Sequence, residues 1–217
     1  MSTSRLLVVA LLTVSVCLTL VPSTACADSV SYPASIGLSS TNWTDSITIP
    51  RFDLTDCYLD SVCFSLDGHV EGTAKFESED ASPTTVTMNL QATITLERPD
   101  NTPLVTVIPL AQTSDDVTAY DGLLDFGGTS GKTYPDLSGD KTESTCTIVP
   151  ADLALFTGTG DITLPAEALG SSNGSGAGNL WLQFSTSASV EATVTYYYTC
   201  ESATEGSSWG CIKALYQ

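Results

Sequence analysis

Apolar and polar residues alternate, almost one for one, along three long runs of this sequence. The runs cover residues 62–76, 86–96 and 180–198, and within each run nearly all the apolar residues share one parity. Side chains of a β-strand point alternately to its two faces, so this pattern places the apolar residues on one face and the polar residues on the other. A helix would instead need a period of about 3.6 residues. The alternation therefore predicts half-buried strands, and no other feature constrains the fold as much.

The first two runs are separated only by the polar segment 77–83, which ends at Pro83. Two alternating runs joined by a short turn are typical of a β-hairpin, so these runs predict a long antiparallel pair. The third run would extend for ~60 Å at ~3.3 Å per residue, which is longer than an ordinary strand. We therefore expect a bend or a tight turn near residues 185–189.

Shorter strands and one helix complete the prediction. The segment 150–156 begins with Pro150 and is followed by Gly158, and proline in the first turn with glycine past the end is typical of a helix. Many short strands separated by glycine, proline and asparagine indicate two packed sheets. The predicted fold is all-β: an antiparallel, jelly-roll-like β-sandwich with one short helix. The shorter strands are predicted at residues 46–52, 105–110, 123–126, 142–148 and 161–164.

The first 27 residues have the three parts of a signal peptide. Arg5 gives a positively charged start, residues 6–21 are almost entirely apolar, and residues 25–27 (ACA) fit a small-x-small cleavage site. This pattern predicts export, with cleavage after Ala27. Two alternatives stay open. A lipid attached to Cys26 would tether the mature protein to a membrane, and the apolar run could be retained as a membrane anchor.

The β-sandwich domain is predicted over residues 28–200 and a C-terminal tail over residues 201–217. Without the signal peptide the chain is strongly acidic. The full sequence has 25 acidic and 7 basic residues, a formal net charge of −18, and it loses Arg5 with the signal. Such a charge repels nucleic acid and anionic lipid headgroups, so neither is an expected partner. It favours solubility outside the cell. We expect a protein that is secreted or held at the cell surface.

Seven cysteines are present, and two of them, Cys17 and Cys26, fall in the predicted signal peptide. Export permits disulfides, but the remaining five thiols cannot all pair within one chain, and many arrangements stay open. Spacing favours the close pairs, Cys57 with Cys63 and Cys200 with Cys211. A structural metal site is disfavoured because the sequence has no Cys-x-x-Cys and only one histidine, at position 69. The five cysteines are Cys57, Cys63, Cys146, Cys200 and Cys211.

Motifs for catalysis are weak. Residues 170–174 (GSSNG) fit the spacing of a nucleophile elbow, but that motif needs a strand before it and a helix after it. Here it lies in a glycine/serine tract, and His69 is the only base available for a catalytic triad. Residues 174–178 (GSGAG) lack the spacing of a phosphate-binding loop. These observations predict that the chain has no catalytic residues and is not an enzyme.

Two acidic clusters are candidates for other chemistry. Asp53, Asp56 and Asp60 are the first candidates for a Ca²⁺ site, because Ca²⁺ takes oxygen ligands from loop carboxylates and carbonyls. A second cluster offers the same ligands. Both clusters also offer carboxylate pairs, which a glycoside hydrolase holds ~5–9 Å apart. So acidic a surface forms clusters of this kind without any function. The second cluster consists of Asp115, Asp116, Asp121 and Asp125.

Three aromatic residues, Trp43, Trp181 and Tyr197, are candidates for a sugar-stacking platform, because aromatic faces give a large contact at low entropic cost. By the alternation, Trp181 and Tyr197 point away from the core. The alternative is that these side chains cover a second sheet or a loop.

Several short blocks between residues 42 and 198 appear in a characteristic order. With these blocks the chain resembles the choice-of-anchor E domain of bacterial secreted and surface proteins. The resemblance implies an exported, β-rich domain followed by one of several C-terminal anchoring or sorting signals, and it carries no catalytic residues. The cysteines of this chain depart from the family pattern. The blocks are 49–53 (IPRFD), 59–62 (LDSV), 121–131 (DGLLDFGGTSG), 152–160 (DLALFTGTG), 164–165 (LP) and 175–180 (SGAGNL).

The C-terminal tail, residues 201–217, has no sortase-type Leu-Pro-x-Thr-Gly signal. Within its last ten residues, Trp209, Ile212 and Tyr216 fall at helical spacing. Two interpretations remain open: a recognition tag for sorting or anchoring, or a turn of helix that packs on the sandwich.

Together these observations predict a secreted or cell-surface structural or adhesive module with no catalytic activity. Its partner would be an unidentified component of the extracellular space or cell envelope, a polysaccharide among the candidates. The alternative is a carbohydrate- or calcium-binding module. A hydrolase that uses two carboxylates is a third hypothesis. No cofactor is expected unless Ca²⁺ is bound.

Overall fold

The computed structural model describes residues 26–201. The predicted signal peptide and tail lie outside this range, except for Cys26, Ala27 and Glu201. Every strand pair in the described part of the chain is antiparallel. In chain order the elements are β1 (Cys26–Ser40), β2 (Trp43–Pro50), β3 (Cys57–Ser78), β4 (Thr84–Glu97), β5 (Pro103–Val107), β6 (Leu110–Val117), β7 (Gly131–Thr147), α1 (Pro150–Phe156), β8 (Asp161–Gly170), β9 (Asn173–Ser175) and β10 (Leu180–Cys200).

Two sheets pack face to face. The first sheet has the strand order β1-β10-β3-β7, and the second has the order β2-β8-β4-β5, with β6 and β9 also paired to β4. β5 and β6 pair with the same edge of β4, one after the other and without a change of register between them. β8 and β9 pair with the other edge of β4 in the same way. Counting each of these couples as one strand gives two four-stranded sheets with the strand order of a jelly roll. The predicted all-β sandwich is therefore confirmed.

The predicted hairpin between the first two alternating runs is wrong. Residues 62–76 lie in β3 of the first sheet and residues 86–96 in β4 of the second, so the chain crosses between sheets through residues 79–83. The buried face is nevertheless the predicted one, because the alternating apolar residues of both strands are buried. Alternation specifies which face of a strand is buried, and a hairpin and a crossing between sheets satisfy it equally well.

The turn expected near residues 185–189 is also absent, because β10 is one uninterrupted strand of 21 residues. It pairs with β3 along its whole length and with β1 over its C-terminal part. The irregularities fall in the partner strands. Asp60 is an extra residue in β3, and β1 shifts register between Ile36 and Ser39. Such bulges bend and twist a strand locally, so the sheet can curve without breaking β10.

The shorter predicted elements have mixed outcomes. Residues 123–126 form a loop and not a strand, and residues 105–110 span the break between β5 and β6 at positions 108–109. The segments at 46–52, 142–148 and 161–164 overlap β2, β7 and β8. The helix is confirmed as α1 with the predicted bounds.

One strand, β1, was not anticipated, although its inward residues Val30, Tyr32, Ala34 and Ile36 also alternate with polar residues and proline. β1 is an edge strand of the first sheet. Proline has no backbone N–H to donate to a neighbouring strand. At the edge of a sheet this hydrogen bond is not needed, so Pro33 is tolerated in β1.

The disulfides differ from the pairing that spacing favoured. Cys57 is bonded to Cys200 and Cys63 to Cys146, each with a Cα–Cα distance of 4.0 Å. In both cases the two cysteines stand directly opposite each other on neighbouring strands. Cys57 and Cys63 are six residues apart on β3, on the order of 20 Å in extended chain, which a disulfide cannot span. Cys211 lies outside the described residues.

The interior consists of two clusters of unequal size. The larger contains most of the buried side chains, among them Phe52, Phe64, Phe156 and Tyr196. These rings contact one another, with centroids of Phe64 and Phe156 5.4 Å apart and those of Phe156 and Tyr196 6.3 Å apart. The smaller cluster has five buried members. They are Ala74, Phe76, Val86, Met88 and Val117.

Helix α1 is tied to the sandwich by a buried ion pair. Asp152 is 6% exposed, and its carboxylate accepts hydrogen bonds from Arg98 at 2.9 Å and from the Thr147 hydroxyl at 2.7 Å. Phe156, at the end of the helix, is fully buried in the larger cluster. We call the end of the sandwich that holds α1, the larger cluster's aromatic rings and both disulfides the stapled end. The opposite end, formed by residues 79–83, 118–130 and 171–179, is the loop end.

Candidate functional site

The outer face of the first sheet carries the chain's only histidine. On β3 the odd-numbered residues point outward, so His69 stands on this face between Asp140 of β7 and Ser189 of β10. Its Nδ1 lies 2.7 Å from Asp140 Oδ1, and its Nε2 lies 3.3 Å from Glu71 Oε2. A depression of about 370 Å³ surrounds it. The depression is lined by Asp67, Gly68, His69, Asp140, Lys141, Thr142, Ser189 and Glu191.

The carboxylates around His69 determine its chemistry. The hydrogen bond with Asp140 raises the pKa of His69, a smaller effect of Glu71 acts in the same direction, and partial burial opposes both. Both ring nitrogens already contact carboxylates, so neither is left to act as a base toward the Ser189 hydroxyl on the neighbouring strand. The Thr142 hydroxyl contacts Asp67 within the same depression. Protonation of His69 would therefore add positive charge to this acidic face.

The serine tract at residues 170–174 does not form a nucleophile elbow. It runs from the last residue of β8 into β9, and the next element is the strand β10, not a helix. The Ser172 hydroxyl donates to the Gln91 carbonyl at 3.2 Å, accepts from the Gln91 N–H at 3.1 Å and lies 3.1 Å from the Thr186 hydroxyl. These contacts join β8–β9 to the neighbouring strands. Ser172 therefore has a structural role, which is to connect these strands.

The three residues proposed for calcium do not converge. Asp53 and Asp56 are exposed in the segment between β2 and β3, and Asp56 has a positive φ of 59°. Asp60 is the bulged residue of β3, and its carboxylate accepts a hydrogen bond from the Thr199 hydroxyl at 2.7 Å. Within residues 26–201, no group of three or more His, Cys, Asp and Glu side chains could hold a metal ion.

The acids of the second cluster each bond to a different group. Asp115 and Asp116 are neighbours on β6, so their side chains point to opposite faces. Asp115 pairs with Lys132 at 2.5 Å, and Asp116 accepts from the Thr85 hydroxyl at 2.6 Å. Asp125 accepts from the N–H of Gly127 at 2.9 Å. Each carboxylate thus has its own local partner, and within residues 26–201 these acids do not form a group that could hold a metal ion.

Asp121 has a similar local role in the loop between β6 and β7. It accepts hydrogen bonds from the backbone N–H groups of Leu123 at 3.0 Å and Thr129 at 3.2 Å. These bonds hold the pKa of the Asp121 carboxyl below its usual range, because they stabilise the charged form. Asp121 therefore shapes the loop.

The three aromatic residues do not share a platform. Trp43 lies on β2 in the second sheet, partly buried, and its indole N–H donates to the Ala188 carbonyl at 3.2 Å. Trp181 and Tyr197 both point outward from β10, 52% and 46% exposed. They are 16 residues apart on one extended strand, which corresponds to ~53 Å at ~3.3 Å per residue. One sugar ligand of ordinary size cannot contact both.

A buried carboxylate at the loop end was not anticipated from the sequence. Glu77 is fully buried, and its Oε1 accepts a hydrogen bond from the Ser130 hydroxyl at 2.6 Å, whereas its Oε2 has no hydrogen-bond partner. A Cβ on Gly131 would lie 2.1 Å from this Oε2, so only glycine fits there. The alternation places Glu77 on the outer face, and burial comes from the loop between β6 and β7.

A second acid fastens the loop end from the other side. The Asp80 carboxylate accepts hydrogen bonds from the N–H groups of Gly178 at 2.7 Å and Asn179 at 2.9 Å, and the Tyr120 N–H donates to the Asp80 carbonyl. The pKa of Tyr120 is raised by partial desolvation and by the surrounding negative charges, Glu79 foremost. The loop end is thus an acidic region held together by hydrogen bonds.

Comparison with known proteins leaves the family open. No protein-family model matches the sequence, and no curated protein matches it. Among solved structures, the chain is similar to that of the infectious bursal disease virus Gx strain, with 17% identity and a TM-score of 0.22 over 82% of this chain and 37% of the other. It is also similar to the VP2 subviral particle of that virus, with 18% identity and a TM-score of 0.19 over 83% and 38%. The chain spans less than two fifths of either protein, and similarities this distant carry no argument about function.

Residues 26–201 contain no helix that is long and apolar enough to cross a membrane.

Proposed function

We propose that this chain is a secreted or cell-surface structural or adhesive module without catalytic activity. The observation that carries the proposal is the pair of disulfides, each joining directly opposite residues of neighbouring strands in the first sheet. Such bonds persist in oxidising compartments and are rare in the reducing cytosol. They also cross-link β3 to β10 and β3 to β7, which suits a domain that must stay folded outside the cell.

Two features of the sequence support the export part of the proposal. The first is the signal-peptide pattern over residues 1–27, and the second is the formal net charge of −18. The resemblance to the choice-of-anchor E domain agrees with both, and membership of that family belongs to the proposal. Attachment would then depend on Cys26 or on the tail at residues 201–217, both of which the resemblance and the sequence leave as alternatives.

The absence of catalysis is proposed from how the candidate groups are engaged. His69 lies between two carboxylates, and Ser172 is bonded to the backbone of Gln91. The acids of the β6–β7 region each have separate partners. A catalytic site needs a nucleophile, a base and a space between them, and the candidates named from the sequence are not brought together in that way.

The export proposal can be tested with the full chain in a bacterial host that oxidises thiols in its periplasm. We expect the protein outside the cytoplasm, starting at Asp28 by intact mass, with Cys57–Cys200 and Cys63–Cys146 found by peptide mapping without reduction. A variant lacking residues 2–27 serves as the control and should remain cytoplasmic with free thiols. Full-length protein that stays in the cytoplasm with Met1 and free thiols would overturn the proposal.

Attachment is tested by removing residues 208–217 from the exported protein. If the tail is a sorting tag, the truncated protein should be released into the medium with an unchanged melting temperature. A lipid on Cys26 would instead add its mass to a mature protein that starts at that residue. Release of both the full and truncated proteins into the medium would leave the structural module secreted and not anchored.

The non-catalytic part is tested by incubating the exported protein with chromogenic glycosides and esters. We expect no turnover above buffer. Turnover that disappears in His69→Ala or Asp121→Asn, each with an unchanged melting temperature, would contradict it.

A further inference from the structure

The loop end exposes one large aromatic side chain on the outer face of the first sheet. Trp181 is 52% exposed and stands opposite Glu77 in the pairing of β10 with β3. Full exposure of an indole face to water is unfavourable, and exposed aromatics of this size are enriched at binding surfaces. β1 covers β10 only from Ser187 onward, so this part of β10 has no neighbour from β1.

Hydrogen-bonding side chains surround the same stretch of sheet. The next outward residues on β10 after Trp181 are Gln183 and Ser185, which pair with Lys75 and Thr73 of β3. These four residues line a depression of about 170 Å³ directly beside the tryptophan position. The residues that line this depression beside the exposed indole therefore carry an amide (Gln183), an ammonium (Lys75) and two hydroxyls.

Lys75 differs from the other lysines of the described domain. Lys132 pairs with Asp115 at 2.5 Å and Lys141 with Glu143 at 2.9 Å, whereas Lys75 forms no ion pair within residues 26–201. Its ammonium group has three N–H donors available for a ligand.

The spacing of the sheet brings these groups within reach of one ligand. Outward residues on one strand are ~6.6 Å apart, so residues 181, 183 and 185 of β10 extend over ~13 Å. Diagonal neighbours on adjacent strands, such as Trp181 and Lys75, have Cα atoms ~7–8 Å apart. An extended chain of sugar units that lies along β10 would contact the indole and the polar groups together.

From this arrangement we propose that Trp181, Gln183 and Lys75 form a binding site for a neutral, β-1,4-linked polysaccharide with equatorial hydroxyls. The axial C–H face of such a ring stacks on the indole, while its hydroxyls bond to the Gln183 amide, the Lys75 ammonium and the Ser185 hydroxyl. The Thr73 hydroxyl already donates to the Pro135 carbonyl at 3.0 Å, so it can only accept from a ligand. The net charge of −18 disfavours polyanionic sugars. The inference deepens the proposed adhesive role by naming its partner.

The test measures binding of cellohexaose and chitohexaose to the folded, exported protein by calorimetry and tryptophan fluorescence. We expect one or both to bind, and Trp181→Ala to weaken that binding roughly tenfold or more, the fold-change typical of losing one good stacking contact. The matched control is Tyr197→Ala, which removes an equally outward aromatic at the far end of β10. It should leave affinity unchanged.

A second pair of variants tests the polar part of the site. Lys75→Met keeps the aliphatic stem and removes the ammonium, and should weaken binding by about threefold to tenfold. Lys141→Met, which removes a paired lysine on β7 of the same sheet, should not. All four variants should keep the wild-type melting temperature within a few degrees.

The proposal is overturned if neither oligosaccharide binds, if binding survives Trp181→Ala, or if Tyr197→Ala weakens it equally. Preference for an oligogalacturonate over both neutral probes would also overturn it, because the ligand would then be acidic. Failure of these experiments with export and disulfides intact leaves the proposed structural module standing. Binding by a protein that is not exported would instead support the polysaccharide site and contradict the proposed export.

Discussion

The two ends of the sandwich are held together by different interactions. At the stapled end, two disulfides join the strands of the first sheet, and contacting aromatic rings fill the larger cluster. At the loop end the buried cluster has five members, and the segments are fastened by hydrogen bonds to Glu77 and Asp80. One end depends on covalent bonds and apolar burial, the other on polar contacts.

This difference has consequences for stability and for function. Apolar burial stabilises in proportion to area, whereas a buried polar group must first lose its water and then recover that cost through hydrogen bonds. Glu77 recovers it only in part, because one of its oxygens has no hydrogen-bond partner. The loop end should therefore open before the stapled end. Binding surfaces are commonly found in such less stable regions, and the site proposed at Trp181 lies there.

The largest expected effect is the loss of a disulfide at the stapled end. The bonds close segments with sequence separations of 143 and 83 residues. Removing either pair by double substitution to alanine should lower the free energy of unfolding by about 5 kcal/mol, because the unfolded chain regains loop entropy. Urea unfolding of the Cys63→Ala/Cys146→Ala protein measures this, with reduced wild-type protein as the control. A loss below about 1 kcal/mol would remove the basis for calling this end stapled.

Truncation of one phenylalanine at each end compares the two clusters directly. Phe156 and Phe76 are both fully buried. Phe156→Ala should cost about 4 kcal/mol and Phe76→Ala about 3 kcal/mol, because the smaller cluster can relax around the lost ring more easily. The measurement is urea unfolding of both variants side by side. A larger loss for Phe76→Ala would reverse the proposed order of the two ends.

Removal of one hydroxyl tests the polar fastening of the loop end. Ser130→Ala leaves the buried Glu77 without the hydrogen bond to Oε1 and should lower the free energy of unfolding by about 2 kcal/mol. Ser114→Ala is the control: its exposed hydroxyl lies 3.1 Å from that of Thr87, and its loss should cost less than about 0.5 kcal/mol. Hydrogen exchange should show faster opening of residues 118–130 in the Ser130 variant alone. Equal losses in the two variants would show that burial of Glu77 does not matter.

The smallest expected effect is a pH dependence of the free energy of unfolding. It comes from His69, which lies between the two ends of the sandwich. The folded pKa is raised above the unfolded value of about 6.5, chiefly by the hydrogen bond with Asp140. This contribution to stability is therefore fully present below pH ~6.5 and is lost as the pH rises through the folded pKa. Because the side chain of His69 is 32% exposed and that of Asp140 81% exposed, the effect should stay below about 1 kcal/mol.

The measurement for His69 is the free energy of unfolding of wild type and His69→Gln at several pH values around neutrality. The difference between the two proteins should shrink as the pH rises. NMR titration of the single imidazole gives its pKa directly, and Asp140→Asn should lower it. A pKa at or below the ordinary value in the wild-type protein would contradict the prediction.

Much of the local structure followed from the sequence because it depends on neighbouring residues. The alternation in residues 62–76 and 86–96 identified the buried face of β3 and β4, since side chains in a strand must alternate. Pro150 and Gly158 marked both ends of α1, because proline and glycine act on the backbone beside them. The same local signal was present in β1, in the alternation of Val30, Tyr32, Ala34 and Ile36.

Partners distant in the chain could not be derived in this way. Alternation is satisfied by any partner strand, so β3 and β4 read as a hairpin although they belong to different sheets. The cysteines depended on the same information: Cys57 meets Cys200 only because β3 and β10 pair in one particular register. The candidate acids and aromatics depended on the same information. Asp115 and Asp116 are adjacent in sequence but point to opposite faces of β6, and Trp181 and Tyr197 lie far apart on β10.

By itself, then, the sequence determined which residues of β3 and β4 face the interior, where the helix begins and ends, and that the fold is an all-β sandwich. The tertiary structure decided strand order, disulfide pairing and which outward residues meet. Glu77 shows the physical reason most clearly. Its parity on β3 places it on the outer face, yet it is fully buried because a loop more than forty residues away in the chain folds over it.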